Sequence, residues 1–148
     1  MIVLLDLEWI EKGGNHLTQL STIRVNEDWD IQGDLDIIVN PGSACLKDPD
    51  HLAFGGLSPV LIRNGVSEED AVLTFSEWLH PDDEIWVWAK SNQRLLAELW
   101  TRWLSNERQP DVYSMAEQVR KTSGRKRYKA ASLFPILGRL NEKPPFPE

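Results

Sequence analysis

The apolar positions of this chain follow two periods, first that of strands and then that of helices. Ile2-Val3-Leu4-Leu5 is an unbroken apolar run, the pattern of a strand covered on both faces. Asp6 and Glu8 interrupt it. Side chains alternate along a strand, so these two carboxylates project together from its C-terminal end. Residues 17–25 alternate as a second strand, with Leu20, Thr22 and Arg24 on one side and Gln19, Ser21, Ile23 and Val25 on the other. Residues 26–30 read as a turn, and residues 35–39 as a third strand stopped at Pro41. Three strands joined by short turns make an antiparallel meander.

Helical spacing takes over further along. Ser67 with Asp70 three residues on has the pattern of a capping box, and Ala71, Val72, Phe75, Trp78 and Leu79 then recur as one helix face, ending near His80-Pro81. Residues 84–88 predict a fourth strand. Residues 92–104 predict a second helix with the stripe Leu95, Leu96, Leu99, Trp100 and Trp103. Residues 111–113 predict a short fifth strand, and residues 115–121 a helical turn. Ser132 would cap a last helix with Pro135 in its first turn and Leu133, Ile136, Leu137 and Leu140 facing inward. Residues 42–65, with Pro49, Gly55, Gly56 and Pro59, form a long irregular stretch of the kind that is functional or mobile in compact domains. A meander followed by alternating helix and strand predicts an α/β domain, a mixed sheet with helices packed on it.

Composition narrows the class without naming a function. A chain of 148 residues, 41% hydrophobic and 26% charged, suits one globular domain. The net charge of −7 argues against binding through an overall basic surface and leaves room for a local basic groove. The single Cys45 rules out an intramolecular disulfide framework and fits a reducing cytosol. No apolar run approaches the ~20 residues of a membrane span. The N-terminus enters a strand without a basic leader, so the expectation is a cytoplasmic protein with no membrane partner. The seven Trp read mainly as core.

The candidate chemistry begins at Asp6 and Glu8. Two adjacent carboxylates cost several kcal/mol each to desolvate and repel one another unless a cation lies between them. Hard oxygen donors of this kind suit Mg²⁺ or Mn²⁺. The alternative is a strand end at the surface with two solvated acids.

The segment Ile-Val-Leu-Leu-Asp6-Leu-Glu8-Trp9, followed by the strand at 17–25, resembles the opening of the DEDD (DnaQ-like) 3′–5′ exonucleases, which have a ribonuclease H-like fold. His51-Leu-Ala-Phe-Gly-Gly-Leu-Ser58 resembles the loop that often reads h-x-x-T-G-I-t in that family. Glu84-Ile-Trp-Val-Trp88-Ala-Lys-Ser-Asn92-Gln-Arg-Leu-Leu96 resembles its second acidic segment, roughly W-G-x-x-D-x-x-x-L. The resemblance covers most of the chain in order. It implies an Mg²⁺- or Mn²⁺-dependent exonuclease that shortens single-stranded RNA or DNA by two-metal phosphodiester hydrolysis, with Asp6 bridging both ions and Glu8 binding one and orienting the attacking water. Asn92 stands where the family has an acid. Its amide oxygen can touch a cation but brings no charge. The family's third segment, His or Tyr with an Asp a few residues on, would follow the last helix, just where the sequence stops. The expectations are therefore one exonuclease-like domain over 1–148, truncated at its C-terminus, or a degenerate module that binds nucleic acid or a protein partner. An uncovered sheet face would favour a homodimer.

Several residues are candidates for contacting nucleic acid. Trp9 follows the acids and would either stack on a terminal base, worth ~1–3 kcal/mol, or pack in the core. His51 is either a contact to the 3′-terminal nucleotide or a surface residue, and Phe54 is a second stacking candidate. Residues 121–129 carry five basic residues and a Tyr; Arg125, Lys126 and Arg127 would meet phosphates there, with Gly124 allowing close approach, or else form a solvated face.

Overall fold

The computed structural model describes residues 1–47 and 57–123. Strands β1 (Ile2–Glu11), β2 (Asn15–Val25) and β3 (Ile31–Ile38) form the antiparallel meander. Two further strands, β4 (Glu84–Val87) and β5 (Val112–Ser114), run parallel to β1, giving one mixed sheet in the order β3-β2-β1-β4-β5. Helices α1 (Ser43–Leu46), α2 (Pro59–Arg63), α3 (Glu68–Trp78), α4 (Lys90–Trp103) and α5 (Met115–Ser123) connect them. The fold is the expected α/β class. The helix at 132–140 and the basic stretch from residue 124 lie outside the described residues.

One face of the sheet meets α3 and α4. Val3, Leu5 and Leu7 of β1, Leu20 of β2, Ile37 of β3, and Ile85 and Val87 of β4 bury there against Ala71, Val72 and Phe75 of α3 and Leu95, Leu96, Leu99 and Trp100 of α4. The expectation that Ile2 to Leu5 are covered on both sides holds for this face alone, since Ile2 and Leu4 on the other face are half-buried. The two helices start where the sequence gives them reason to. The Ser67 Oγ accepts the Asp70 N–H at 3.1 Å, and three acids occupy the first turn of α3 where they complement the helix dipole. α4 begins two residues earlier than its apolar stripe suggests, at Lys90, without a capping side chain.

Within the stretch read as irregular, α1 and α2 are short helices, α2 capped by Ser58 and opened by Pro59. With Ile10, their Cys45 and Ile62 make a small second core. Gly65 closes this segment onto the sheet. A Cβ at that position would lie 2.6 Å from the Ile38 carbonyl oxygen, so only glycine lets the chain run beside β3 and form the Val39–Val66 bridge.

Candidate active site

The acids do not end β1, as the sequence suggests; they sit in its middle. β1 pairs with β4 only as far as Leu5 opposite Val87, but stays paired with β2 out to Glu11. Beyond Leu5 it overhangs the parallel half of the sheet. Asp6 and Glu8 lie on that overhang, both exposed on the face away from α3 and α4, while Leu7 between them is buried in the core. α4 enters beside this overhang. Its third residue, Asn92, is 8% exposed and donates from Nδ2 to the Leu7 carbonyl at 3.2 Å. Asn92 thus clamps the backbone link that carries both acids.

A β-bulge follows at once. The register steps from Glu8–Gln19 to Trp9–Leu17, leaving Thr18 as the extra residue on β2. Bulges bend a strand and re-aim its side chains. Here Trp9 packs half-buried against the main core, and Ile10 turns to the second one. Trp9 therefore takes the core position that the sequence allowed as one of its two readings.

The cross-strand neighbours of the acids are polar. Asp6 lies opposite Ser21, and Glu8 opposite Gln19. Both neighbours donate to one acceptor on β3: Ser21 Oγ to Asp36 Oδ1 at 2.6 Å, and Gln19 Nε2 to the same oxygen at 3.0 Å. These bonds hold the Asp36 carboxyl below the ordinary aspartate range. Glu8 goes the other way: partial burial and then the Asp6 charge push its carboxyl up. Among the described residues no cationic side chain pairs with either acid.

The donor set fits one hard divalent cation. Mg²⁺ is commonly held by one or two carboxylates with water filling its remaining positions. Asp6 and Glu8 provide these. Asn92 has only its Oδ1 to offer, because its nitrogen is committed to Leu7. Among the described residues no group of three or more His, Cys, Asp or Glu side chains is placed to hold a metal.

Of the other residues singled out in the sequence, His51, Phe54, Arg125, Lys126 and Arg127 lie outside the described residues. Of three residues that sequence reasoning passed over, Gln19 and Ser21 stand opposite the acids and Asp36 lies behind Ser21 on β3. The alternation of residues 17–25 had already put Gln19 and Ser21 on one side; only their register against β1 was missing. At the same end of the sheet as the start of α4, Glu117 of α5 pairs with Lys90 at 3.6 Å and with Arg120 at 3.5 Å. No helix among the described residues is long and apolar enough to cross a membrane.

Solved structures of similar fold include exonucleases. The chain is similar to exonuclease I in the ExoI/SSB-Ct complex (TM-score 0.67, 14% identity, 82% of this chain and 30% of the other). It is similar to Escherichia coli exonuclease I in complex with a dT13 oligonucleotide (TM-score 0.64, 13% identity, 82% and 29%). It is also similar to a moderately thermophilic exonuclease I from Methylocaldum szegediense (TM-score 0.64, 12% identity, 82% and 29%). The chain thus spans about 30% of the length of these proteins. At such identities the likeness is one of fold: the mixed five-stranded sheet with helices is the ribonuclease H-like arrangement expected from the sequence. No family model matches the chain, and no curated protein matches it in sequence.

Proposed function

We propose that this chain is a nuclease domain that binds the 3′ end of a single-stranded nucleic acid and hydrolyses its terminal phosphodiester with the help of Mg²⁺ or Mn²⁺. The observation that carries the reading is the placement of Asp6 and Glu8 together on the β1 overhang of a ribonuclease H-like sheet. The likeness to exonuclease I, seen with a dT13 oligonucleotide, makes single-stranded DNA the first substrate to try and RNA the second.

A divalent cation held by Asp6 and Glu8 would polarise a phosphoryl oxygen and lower the pKa of a water enough to make it a nucleophile near neutral pH. The protein's own residues supply the rest. Asp6 and Glu8 hold the charge and fix where the phosphate sits. Glu8, its carboxyl pushed up by burial and by the Asp6 charge, would orient the attacking water by accepting its hydrogen bond. Asn92 keeps the strand segment between them from shifting. His51 and Phe54 meet the terminal nucleotide, and Arg125, Lys126 and Arg127 meet the phosphates behind it. Trp9, built into the core on its other side, offers only its exposed edge.

A second reading is favoured by Asn92. Its amide is spent on a backbone carbonyl and adds no negative charge, so the site is poorer in charge than the family pattern. On that reading the domain holds a nucleic-acid end without cutting it. The test incubates the full chain with Mn²⁺ and a 3′- or 5′-labelled single-stranded DNA or RNA, with Asp6→Asn as control. Stepwise shortening from the 3′ end, lost in the variant, supports cleavage. Mn²⁺-dependent retention of an uncut strand supports the binding reading. Neither activity nor binding overturns both.

A further inference from the structure

We infer that Asp36 is a positioning residue for the cation site, acting through Ser21 and Gln19; the inference rests on Asp6 and Glu8 holding a cation. A serine hydroxyl has one hydrogen to donate and two lone pairs to offer. Ser21 gives its hydrogen to Asp36 Oδ1 at 2.6 Å, which leaves only acceptor capacity for its neighbour across the other ladder, Asp6. Gln19 donates to the same oxygen from Nε2 at 3.0 Å, so covalent geometry turns its Oε1 away from Asp36. Gln19 stands opposite Glu8. Side chains directly opposite one another have Cβ atoms about 4.5–5.5 Å apart. Asp6 therefore borders a hydroxyl oxygen whose one hydrogen is committed to Asp36.

That orientation matters because a carboxylate would otherwise take the hydroxyl hydrogen for itself. Had Ser21 donated to Asp6, the acid would gain a hydrogen bond and become a weaker donor to a cation. By drawing the Ser21 hydrogen toward β3, together with one of the two Gln19 amide hydrogens, Asp36 keeps Ser21 from satisfying Asp6. Outer residues that orient a metal's surroundings change affinity by about 10- to 100-fold when removed. The low end is expected here because the network is solvent-exposed.

The test measures Mn²⁺ affinity of the full chain by titration calorimetry and by the electron paramagnetic resonance signal of free Mn²⁺, neither of which needs turnover. Asp36→Ala should weaken binding about tenfold. In a Ser21→Ala/Gln19→Ala background the same substitution should add nothing, because the residues it acts through are gone. Asp34→Ala is the control for charge alone: Asp34 lies two residues earlier on β3, on the same face, opposite Ile23. It should leave affinity within twofold. Binding unchanged in Asp36→Ala, or weakened equally by Asp36→Ala in both backgrounds, overturns the inference while the cation site stands. A wild-type chain that binds no Mn²⁺, with unaltered circular dichroism, overturns the cation reading and this inference together.

Discussion

The side-chain amide of Asn92 donates a hydrogen bond to the carbonyl of Leu7, 85 residues earlier in the chain and directly between Asp6 and Glu8. An ionised aspartate cannot make this bond, because it has no hydrogen to give. Asn92 is thus more than a neutral stand-in for an acid: it ties the start of α4 to the overhang of β1. Replacing it by Asp would set a carboxylate oxygen against the carbonyl and bring a third negative charge beside two others. Asn92→Asp should cost the cation-free protein about 1–3 kcal/mol, and Asn92→Ala a similar amount. Mn²⁺ should stabilise the Asp variant more than wild type or the Ala variant, since only it gains charge. Urea denaturation with and without Mn²⁺ reads both effects. An Asn92→Asp protein as stable as wild type would show that the Leu7 contact contributes nothing.

Glu8 gives the opposite sign. Its folded-state carboxyl lies above the ordinary glutamate range, first through loss of hydration and then through Asp6. A raised carboxyl contributes stability that is present at low pH and lost as the pH climbs through its folded value. Glu8→Gln should therefore stabilise the cation-free protein at neutral pH, by less than about 1 kcal/mol because the pair is screened by water. The gain should vanish below the ordinary carboxylate range. Mn²⁺ should raise the melting temperature of wild type and leave the variant's nearly unchanged. Thermal melts at two pH values, each with and without the metal, decide it.

Period-two alternation was enough to put Asp6 and Glu8 on one face, and to separate Gln19 and Ser21 from Leu20 and Thr22. It was not enough to show what those faces meet. Whether Ser21 lies opposite Asp6 depends on register, which the turn and the bulge at Thr18 set rather than the pattern itself. The overhang of β1 is equally hidden, because its apolar residues read the same whether or not β4 accompanies them. Arg24 was legible as a member of an alternating strand, on the side of Leu20 and Thr22. That side is the core, and a buried arginine needs a partner that the local sequence does not contain: Asp83 is 59 residues away. The helices were legible nearly to the residue where a cap or stripe marked them, as at Ser67, and less so at α4, which starts without one.

Glu68 holds three elements together at the first position of α3. Its Oε1 accepts the backbone N–H of Leu17 at 3.0 Å, while Oε2 accepts from Arg102 at 2.6 Å and from the indole of Trp103 at 3.0 Å. Leu17 is the β2 residue beside the bulge, so this carboxylate braces the far side of the strand pair that bears the acids. Glu68→Ala would strand the Leu17 N–H and the Trp103 N–H, and about 3 kcal/mol of destabilisation is expected. Glu68→Gln should cost less, since its amide oxygen still accepts from one of them. Hydrogen exchange at Leu17 should accelerate more than at Val3, in the middle of the sheet. Equal acceleration at both sites would mean that Glu68 stabilises the fold without any local hold on the bulge.

Acid weakens the fold through Asp83. Asp83 is almost fully buried beside Arg24, which donates to its Oδ2 from Nη2 at 2.8 Å and from Nε at 3.1 Å; the His80 N–H adds 2.8 Å to the same oxygen. The N-terminal ammonium forms an ion pair with Oδ1 at 3.4 Å. Arg24 is itself held by the Trp78 carbonyl at 2.6 Å and by the Trp78 ring, 3.9 Å from its guanidinium. Burial alone would push the Asp83 carboxyl up, but the hydrogen bonds and charge of Arg24, with the His80 N–H, outweigh it and hold the group below the ordinary aspartate range. A depressed carboxyl stabilises the fold above its unfolded value, and that contribution is lost as the pH falls through the folded one. Stability should therefore drop steeply from about pH 4 downward. Asp83→Asn should remove much of that acid dependence. At neutral pH it should cost about 3–5 kcal/mol, because it leaves the Arg24 charge buried without its counter-ion. Adding Arg24→Met to Asp83→Asn should recover part of the loss, since an apolar side chain needs no counter-ion in that place. Urea midpoints across this pH range for the three proteins test the chain of reasoning. A double variant no more stable than Asp83→Asn would mean that the stacking of Arg24 on Trp78, and not its charge pairing, is what the fold depends on.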